Sequence, residues 1–196
     1  MARSSEIHVE VNGELDAVND TLSAIGESAV NTLDDNVNAD VANIRRILNQ
    51  FNRRSQTRGW TFNTETTVLL PDTFDQHIPF LDDYLSVLST GGATVYRNRG
   101  GYIYDTSTAT DRFTGPISVE LITLIPYGDM PEVFKQYIVA LTAQRFNMSF
   151  FGDDGIEAAL AEQVMELQIA VMEFELDYGN FNMLEGDAWV QGRIGR

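Results

Sequence analysis

The side chains in this 196-residue chain whose chemistry could be put to use are two histidines, several adjacent carboxylate pairs and a cluster of arginines. His8 lies near the N-terminus, and His77 precedes Pro79 in a polar segment. A metal or general-base role needs partners at a set spacing. The sequence has no His-x-x-x-His or Glu-x-x-His pair, and no Gly-x-Ser-x-Gly nucleophile elbow. It also lacks cysteine, which excludes disulfides, thiolate metal sites and cysteine nucleophiles. The segment Arg97-Asn-Arg-Gly-Gly101 lacks the lysine and glycine spacing of a phosphate loop. No catalytic residue, metal or cofactor is expected.

Carboxylates stand side by side at Asp34–Asp35, Asp82–Asp83 and Asp153–Asp154. Glycoside hydrolysis uses two acids facing each other across a cleft at about 5–10 Å. Neighbours in sequence do not supply that geometry, and a chain with 29 acids shows such pairs by composition alone. A small carbohydrate-active or cell-wall hydrolase built on one acidic pair is the alternative reading of function. Phe151-Gly-Asp-Asp-Gly155 is too short for a calcium loop and reads as a helix cap.

Charge says more than catalysis. The net charge is −16, which repels nucleic-acid phosphates and argues against sequence-reading DNA binding. Passive contact with DNA, as the wall of a passage, remains compatible with it. Five of the twelve arginines are Arg45, Arg46, Arg53, Arg54 and Arg58, while lysine occurs only at Lys135. Between Arg145 and Arg193 there is no cation at all, and that stretch carries ten carboxylates. Arginine forks match carboxylates better than lysine does. The arginine run is therefore expected to meet carboxylates of the last helix across a subunit boundary. The tail that follows holds Tyr178, Phe181, Met183, Leu184 and Trp189, more apolar surface than water tolerates uncovered. A strap on its own domain and an arm on a neighbour are both open.

The elements that must position these groups follow from periodicity. Leu15, Val18, Leu22 and Ile25 predict a helix over 12–26, and Val41, Ile44, Leu48 and Phe51 a second over 39–58 ended by Gly59. Residues 60–126 are rich in β-branched and aromatic side chains. Strands are expected at 60–70, 83–90 and 117–125, with a hairpin from 94–96 to 101–104. Helices return over 131–151 and from Asp153 to Tyr178. In the second, Ile156, Leu160, Val164, Leu167, Val171, Phe174 and Tyr178 form one seam. The expected class is α+β: mainly an antiparallel helical bundle of two N-terminal and two C-terminal helices, a central β-rich insertion and an extended C-terminal tail. The expected domains are a discontinuous helical one (1–59 and 127–179), the insertion (60–126) and a docking tail (180–196). No apolar run approaches the about 20 residues needed to cross a bilayer. The first residues lack the apolar centre of a signal peptide, so the protein is expected to stay where it is made.

An ordered set of short matches points to a family. They are Glu14-Leu-Asp-Ala-Val-Asn19, Ile25-Gly-Glu27, Asn38-Ala-Asp40, Arg46-Ile-Leu48, Arg58-Gly-Trp-Thr-Phe-Asn63 and Arg99-Gly-Gly-Tyr-Ile-Tyr-Asp105. Met130-Pro-Glu132, Phe146-Asn147, Phe150-Phe-Gly152 and Asp177-Tyr-Gly-Asn-Phe-Asn-Met-Leu-Glu-Gly-Asp-Ala188 follow. With these the chain resembles the tail tubular protein A family, the head-to-tail adaptors (gatekeepers) of autographivirus-type podoviruses. The resemblance implies a structural virion protein made in the host cytoplasm. It implies a homo-oligomeric ring, typically of twelve copies, between the portal protein and the tail nozzle protein. Double-stranded DNA would leave through its channel, past carboxylates that keep phosphates from adhering. The family has no agreed catalytic residues to carry over. Its stronger acidity is the main departure of this sequence.

Overall fold

The structure is a computed structural model and describes residues 13–33, 39–91 and 94–178. The fold is α+β, with four α-helices and a five-stranded antiparallel sheet. The helices are α1 (Gly13–Ala24), α2 (Ala39–Gln56), α3 (Glu132–Phe146) and α4 (Asp154–Tyr178). The strands are β1 (Thr64–Leu69), β2 (Tyr84–Ser89), β3 (Val95–Arg99), β4 (Tyr102–Asp105) and β5 (Ile117–Thr123). The chain divides into two compact units, residues 1–52 with 126–165 and residues 53–125 with 166–196. Two of the three boundaries fall inside a helix, in α2 and in α4, and the third, between residues 125 and 126, lies after β5.

In the first unit the apolar stripes predicted from spacing find each other. Val18 and Leu22 of α1, Ile25 beyond it, Val41, Ile44 and Ile47 of α2 and Phe146 of α3 share one core. The segment leaving α1 is held down by Asn19, whose carboxamide exchanges hydrogen bonds with Val30 N–H and C=O at 2.8 and 3.0 Å. In α3, Phe134, Ile138, Thr142 and Phe146 recur every four residues and are fully buried. Thr142 donates its hydroxyl to Ile138 C=O at 2.7 Å, so its burial leaves no polar group unmet.

The helix expected to continue to Phe151 ends at Phe146, and Asn147–Phe151 forms a wider π turn. Asn147 causes the change. Its C=O accepts from Gly152 N–H at 2.7 Å, and its amide donates to Asp153 C=O at 3.0 Å. Asp153 then caps α4, its Oδ1 accepting from Ile156 N–H at 2.9 Å.

The second unit holds the sheet, in the order β1-β5-β2-β3-β4, with every neighbouring pair antiparallel. It is an open sheet, because β1 and β4 do not pair with each other. Val119 and Leu121 of β5 point inward while Ser118 and Glu120 are exposed, the alternation of a sheet with one covered face. Ile78, Val87, Ile103, Phe113, Val119 and Leu121 form its core.

Two local expectations are corrected. Residues 60–63 form a turn, and the first strand starts at Thr64. Asn63 makes that turn: its Oδ1 accepts from Trp60 N–H at 2.7 Å, and its N–H donates to Trp60 C=O at 3.0 Å. The hairpin is also tighter than expected. Arg99 pairs with Tyr102, so Arg97–Arg99 lie in the strand and the turn is Gly100–Gly101 alone. Both glycines have positive φ, 63° and 86°, as a two-residue hairpin of this hand requires.

Candidate functional site

Of the residues with catalytic potential, Asp153 and His77 are tied up in structure. Asp153 is the α4 cap described above. Asp82 and Asp83 are exposed on the turn before β2, and Asp34 and Asp35 lie outside the described residues. His77 Nδ1 lies 3.4 Å from Asp75 Oδ2 and Nε2 lies 3.7 Å from Asp111 Oδ2, with the ring 4.6 Å from that of Tyr102. His77 N–H donates to Asp75 Oδ1 at 3.0 Å. That backbone bond is the main reason the Asp75 carboxyl is held below the usual carboxylate range. His77 thus fastens the loop that precedes β2 through its backbone N–H, while its buried Nδ1 has no hydrogen-bond partner among the described residues. His8 lies outside the described residues. Among the described residues no group of three or more His, Cys, Asp or Glu side chains could hold a metal ion.

A polar cleft of about 180 Å³ in the first unit is lined by Asp20, Tyr127, Glu132, Lys135 and Gln163 among others. Burial, then Asp16 and Glu132, push the Asp20 carboxyl up. Burial and the same acids push the Tyr127 phenol well above its ordinary range. Lys135 Nζ sits 3.6 Å from Glu132 Oε2. Like charges gathered with one lysine give a strained surface, and no nucleophile with a neighbouring base emerges.

The arginines of α2 separate into two kinds. Arg45 is half-buried and committed: its Nε donates to Glu14 Oε1 at 3.0 Å and its Nη1 to Leu33 C=O at 3.4 Å. Arg46, Arg53 and Arg54 are exposed and make no side-chain ion pair among the described residues. Arg46, Gln50, Arg53 and Thr57 follow the three-and-four spacing of one helix row, all of them exposed. Arg58, just past α2, lays its guanidinium 4.8 Å from the centre of the Trp60 ring.

The α4 seam is shallower than its periodicity predicts. Leu160 and Val171 are buried, Ile156, Val164, Leu167 and Phe174 are half-buried, and Tyr178 is exposed. Tyr178 stacks on Phe174 at 4.6 Å between ring centres. Glu157 accepts from Gln144 at 2.9 Å, and Glu175 accepts from Thr61 N–H and hydroxyl at 2.8 and 2.6 Å. Glu162, Glu166, Glu173 and Asp177 remain exposed, with no ion pair among the described residues. Phe181, Met183, Leu184 and Trp189 lie outside the described residues, so the structure leaves their expected contacts unaddressed.

Sequence reasoning missed Phe74, which is 98% exposed. Its loop is well tied. Asp72 Oδ1 accepts from Phe74 N–H at 2.7 Å, and Gln76 N–H donates to Asp72 C=O at 3.0 Å. Gln76 takes a positive φ of 63° although it is not glycine. The signal available was Pro71-Asp72, a turn opener ahead of an isolated aromatic.

Among the described residues, Arg46, Arg53 and Arg54 of α2 and Glu162, Glu166, Glu173 and Asp177 of α4 are thus exposed without an ion pair. Residues 15–181 match the family model described as Tail tubular protein, and the chain belongs to that family. It is 28% identical over 170 residues to Tail tubular protein A of Klebsiella phage KP34, covering 86% of this chain and 90% of that protein. It is accordingly a structural protein of a phage tail. No helix among the described residues is long and apolar enough to cross a membrane.

Proposed function

We propose that the chain forms a closed ring that joins the portal to the tail nozzle, a head-to-tail adaptor through which double-stranded DNA passes. Family membership supports a tail component. The observation that carries the finer reading is the pairing of unmet charges. Arg46, Arg53 and Arg54 on α2 and Glu162, Glu166, Glu173 and Asp177 on α4 are all exposed and have no partners among the described residues. Two different complementary patches on one chain make a heterologous contact, which closes into a ring when the rotation between copies divides a full turn. Arg45 serves its own protomer through Glu14 and is not needed for that contact. The role is structural and non-enzymatic. Twelve copies follow from the resemblance, and the excess of carboxylates suits a channel wall that DNA phosphates must not adhere to. End-on negative-stain imaging and native mass measurement of the chain mixed with its portal test this reading. A discrete ring bound to the portal supports it, and lone chains at high concentration sink it.

A further inference from the structure

The two edges of the sheet end differently. At β4, Ile103 N–H donates to Ile78 C=O and Asp105 N–H to Thr110 C=O, and Phe80 N–H donates to Gly101 C=O beside them, each at 2.8 Å. That edge is covered. At the opposite edge β1 pairs with β5 alone. Thr123 N–H donates to Asn63 C=O at 2.9 Å, which sets the phase of the antiparallel ladder. Glu65, Thr67 and Leu69 therefore turn N–H and C=O toward β5, and Thr64, Thr66 and Val68 turn theirs away. Ser118, opposite Val68, agrees with this phase. Its C=O faces the other side of β5, accepting from Thr90 N–H at 3.1 Å. Among the described residues no hydrogen bond reaches the outward groups of Thr64, Thr66 and Val68.

Edge strands commonly carry a lysine, a proline or a bulge that keeps other strands away. β1 has none of these, and Thr64–Leu69 runs in unbroken register with β5. Thr66 and Val68 are exposed, and Leu70, on the same parity just beyond, is 71% exposed. One strand thus offers both open backbone groups and apolar side chains.

Charge selects the occupant. β1, β5 and β2 hold two carboxylates, Glu65 and Glu120, both exposed, and no cation. Glu120 stands across from Thr66, one strand in from the edge. The β1 of a second copy would bring its own Glu65 and Glu120 with nothing to offset them, and like charges on adjoining strands oppose pairing. Successive side chains of a strand point to opposite faces, as Glu65 and Glu120 do. An added strand with one cation opposite Glu65 and the next opposite Thr66 meets both acids. The second cation starts about 10 Å from Glu120, two strand spacings, which an arginine and a glutamate close between them.

We propose that β1 is a docking edge that takes an extended segment of another protein as a sixth strand of the five-stranded sheet. The segment is held by the backbone of Thr64, Thr66 and Val68, by an apolar residue beside Val68 and by two consecutive cations facing Glu65 and Glu120. This contact is separate from the α2 and α4 charges assigned to the ring.

The probe is a fluorescent synthetic peptide in which valine and threonine alternate around an arginine pair, titrated against the full chain at low micromolar concentration. Saturable binding is expected, weakened by about tenfold or more when glutamates replace the arginines. Thr66→Pro removes an outward N–H and no β1–β5 bond, so it should abolish binding and leave the urea midpoint near that of the parent. Hydrogen exchange needs no variant and decides the matter if Thr66→Pro fails to fold. The Thr66 and Val68 amides should exchange fast in the free chain and slowly with peptide, while those of Glu65, Thr67 and Leu69 stay protected throughout. No binding, equal binding of the acidic peptide or equal binding by a folded Thr66→Pro overturns the proposal. Edge amides already protected in the dilute chain do so too. Protection that grows with chain concentration alone assigns the edge to a second copy and overturns it as well. No measurement here requires a ring, so this proposal and the proposed function fail separately.

Discussion

Gln56 and Ile125 exchange two hydrogen bonds across 69 residues of sequence. Gln56 Nε2 donates to Ile125 C=O at 2.9 Å, and Ile125 N–H donates to Gln56 Oε1 at 2.8 Å. The last residue of α2 is thereby fastened to the chain just after β5, where the β-rich segment ends. Gln56 is fully buried. Asn63 reinforces the closure by donating to Gln56 C=O at 3.0 Å and to Thr123 C=O at 2.9 Å. The two ends of the β-rich segment are thus joined by side-chain amides as well as by the β1–β5 ladder.

Gln56→Met keeps the shape and removes both bonds, leaving Ile125 N–H and C=O without them. Each stranded group costs about 1–3 kcal/mol. A loss near 3 kcal/mol in urea unfolding is expected. An unchanged midpoint would show that the clamp contributes nothing.

Asp153→Ala removes the cap of α4. The expected cost is about 1 kcal/mol, with Asp153→Ser recovering most of it because a hydroxyl can accept the same Ile156 N–H. Equal stability of the alanine and serine variants would refute the capping role.

Gly59 has φ +77°, and a Cβ there would lie 2.7 Å from Ile122 Cδ1. Gly59→Ala therefore meets backbone strain and a core contact together. A loss of at least about 1 kcal/mol is expected in thermal unfolding. A melting temperature within a degree of the parent would contradict this.

Asp20 makes a prediction of opposite sign. Its folded carboxyl titrates above the ordinary value of 3.8, because burial and then Asp16 and Glu132 oppose its charge. Below 3.8 the group is neutral in both states and affects nothing. As pH rises past that value the unfolded chain ionises more readily, and the fold is penalised. Asp20→Asn should raise the melting temperature at pH 7, and the gain should vanish near pH 3. A gain that persists at low pH would point to another cause.

Much of the architecture was legible because burial leaves a period behind it. The α3 residues Phe134, Ile138 and Phe146 announce a helix, and Val119 and Leu121 announce a strand, before any contact is known. What escaped depends on side chains acting on distant or irregular backbone. Nothing local tells that Asn63 turns Trp60–Asn63 out of the strand, or that Asn147 widens the end of α3. The α4 seam misled for another reason. That helix is apolar on more than one face, so a regular row could be traced without revealing how deeply it is buried. The candidate site was half legible. The arginine run was visible, but its division into a committed Arg45 and an exposed Arg46, Arg53 and Arg54 needed coordinates.

Charge reversal probes the proposed contact. Arg53→Glu with Arg54→Glu should abolish ring formation while leaving unfolding of the isolated chain within about 0.5 kcal/mol, as expected for exposed side chains. High salt should weaken the parent ring in the same direction, since screening shortens the reach of charge to about 3 Å at 1 M. Assembly indifferent to both would remove the arginine–carboxylate contact from the account.

The most direct test of the account is sedimentation of the purified chain with its cognate portal. A single fast species containing both proteins in a fixed ratio, and ring-shaped end-on, is the predicted result. Separate boundaries, with this chain monomeric at every concentration reached, would contradict it.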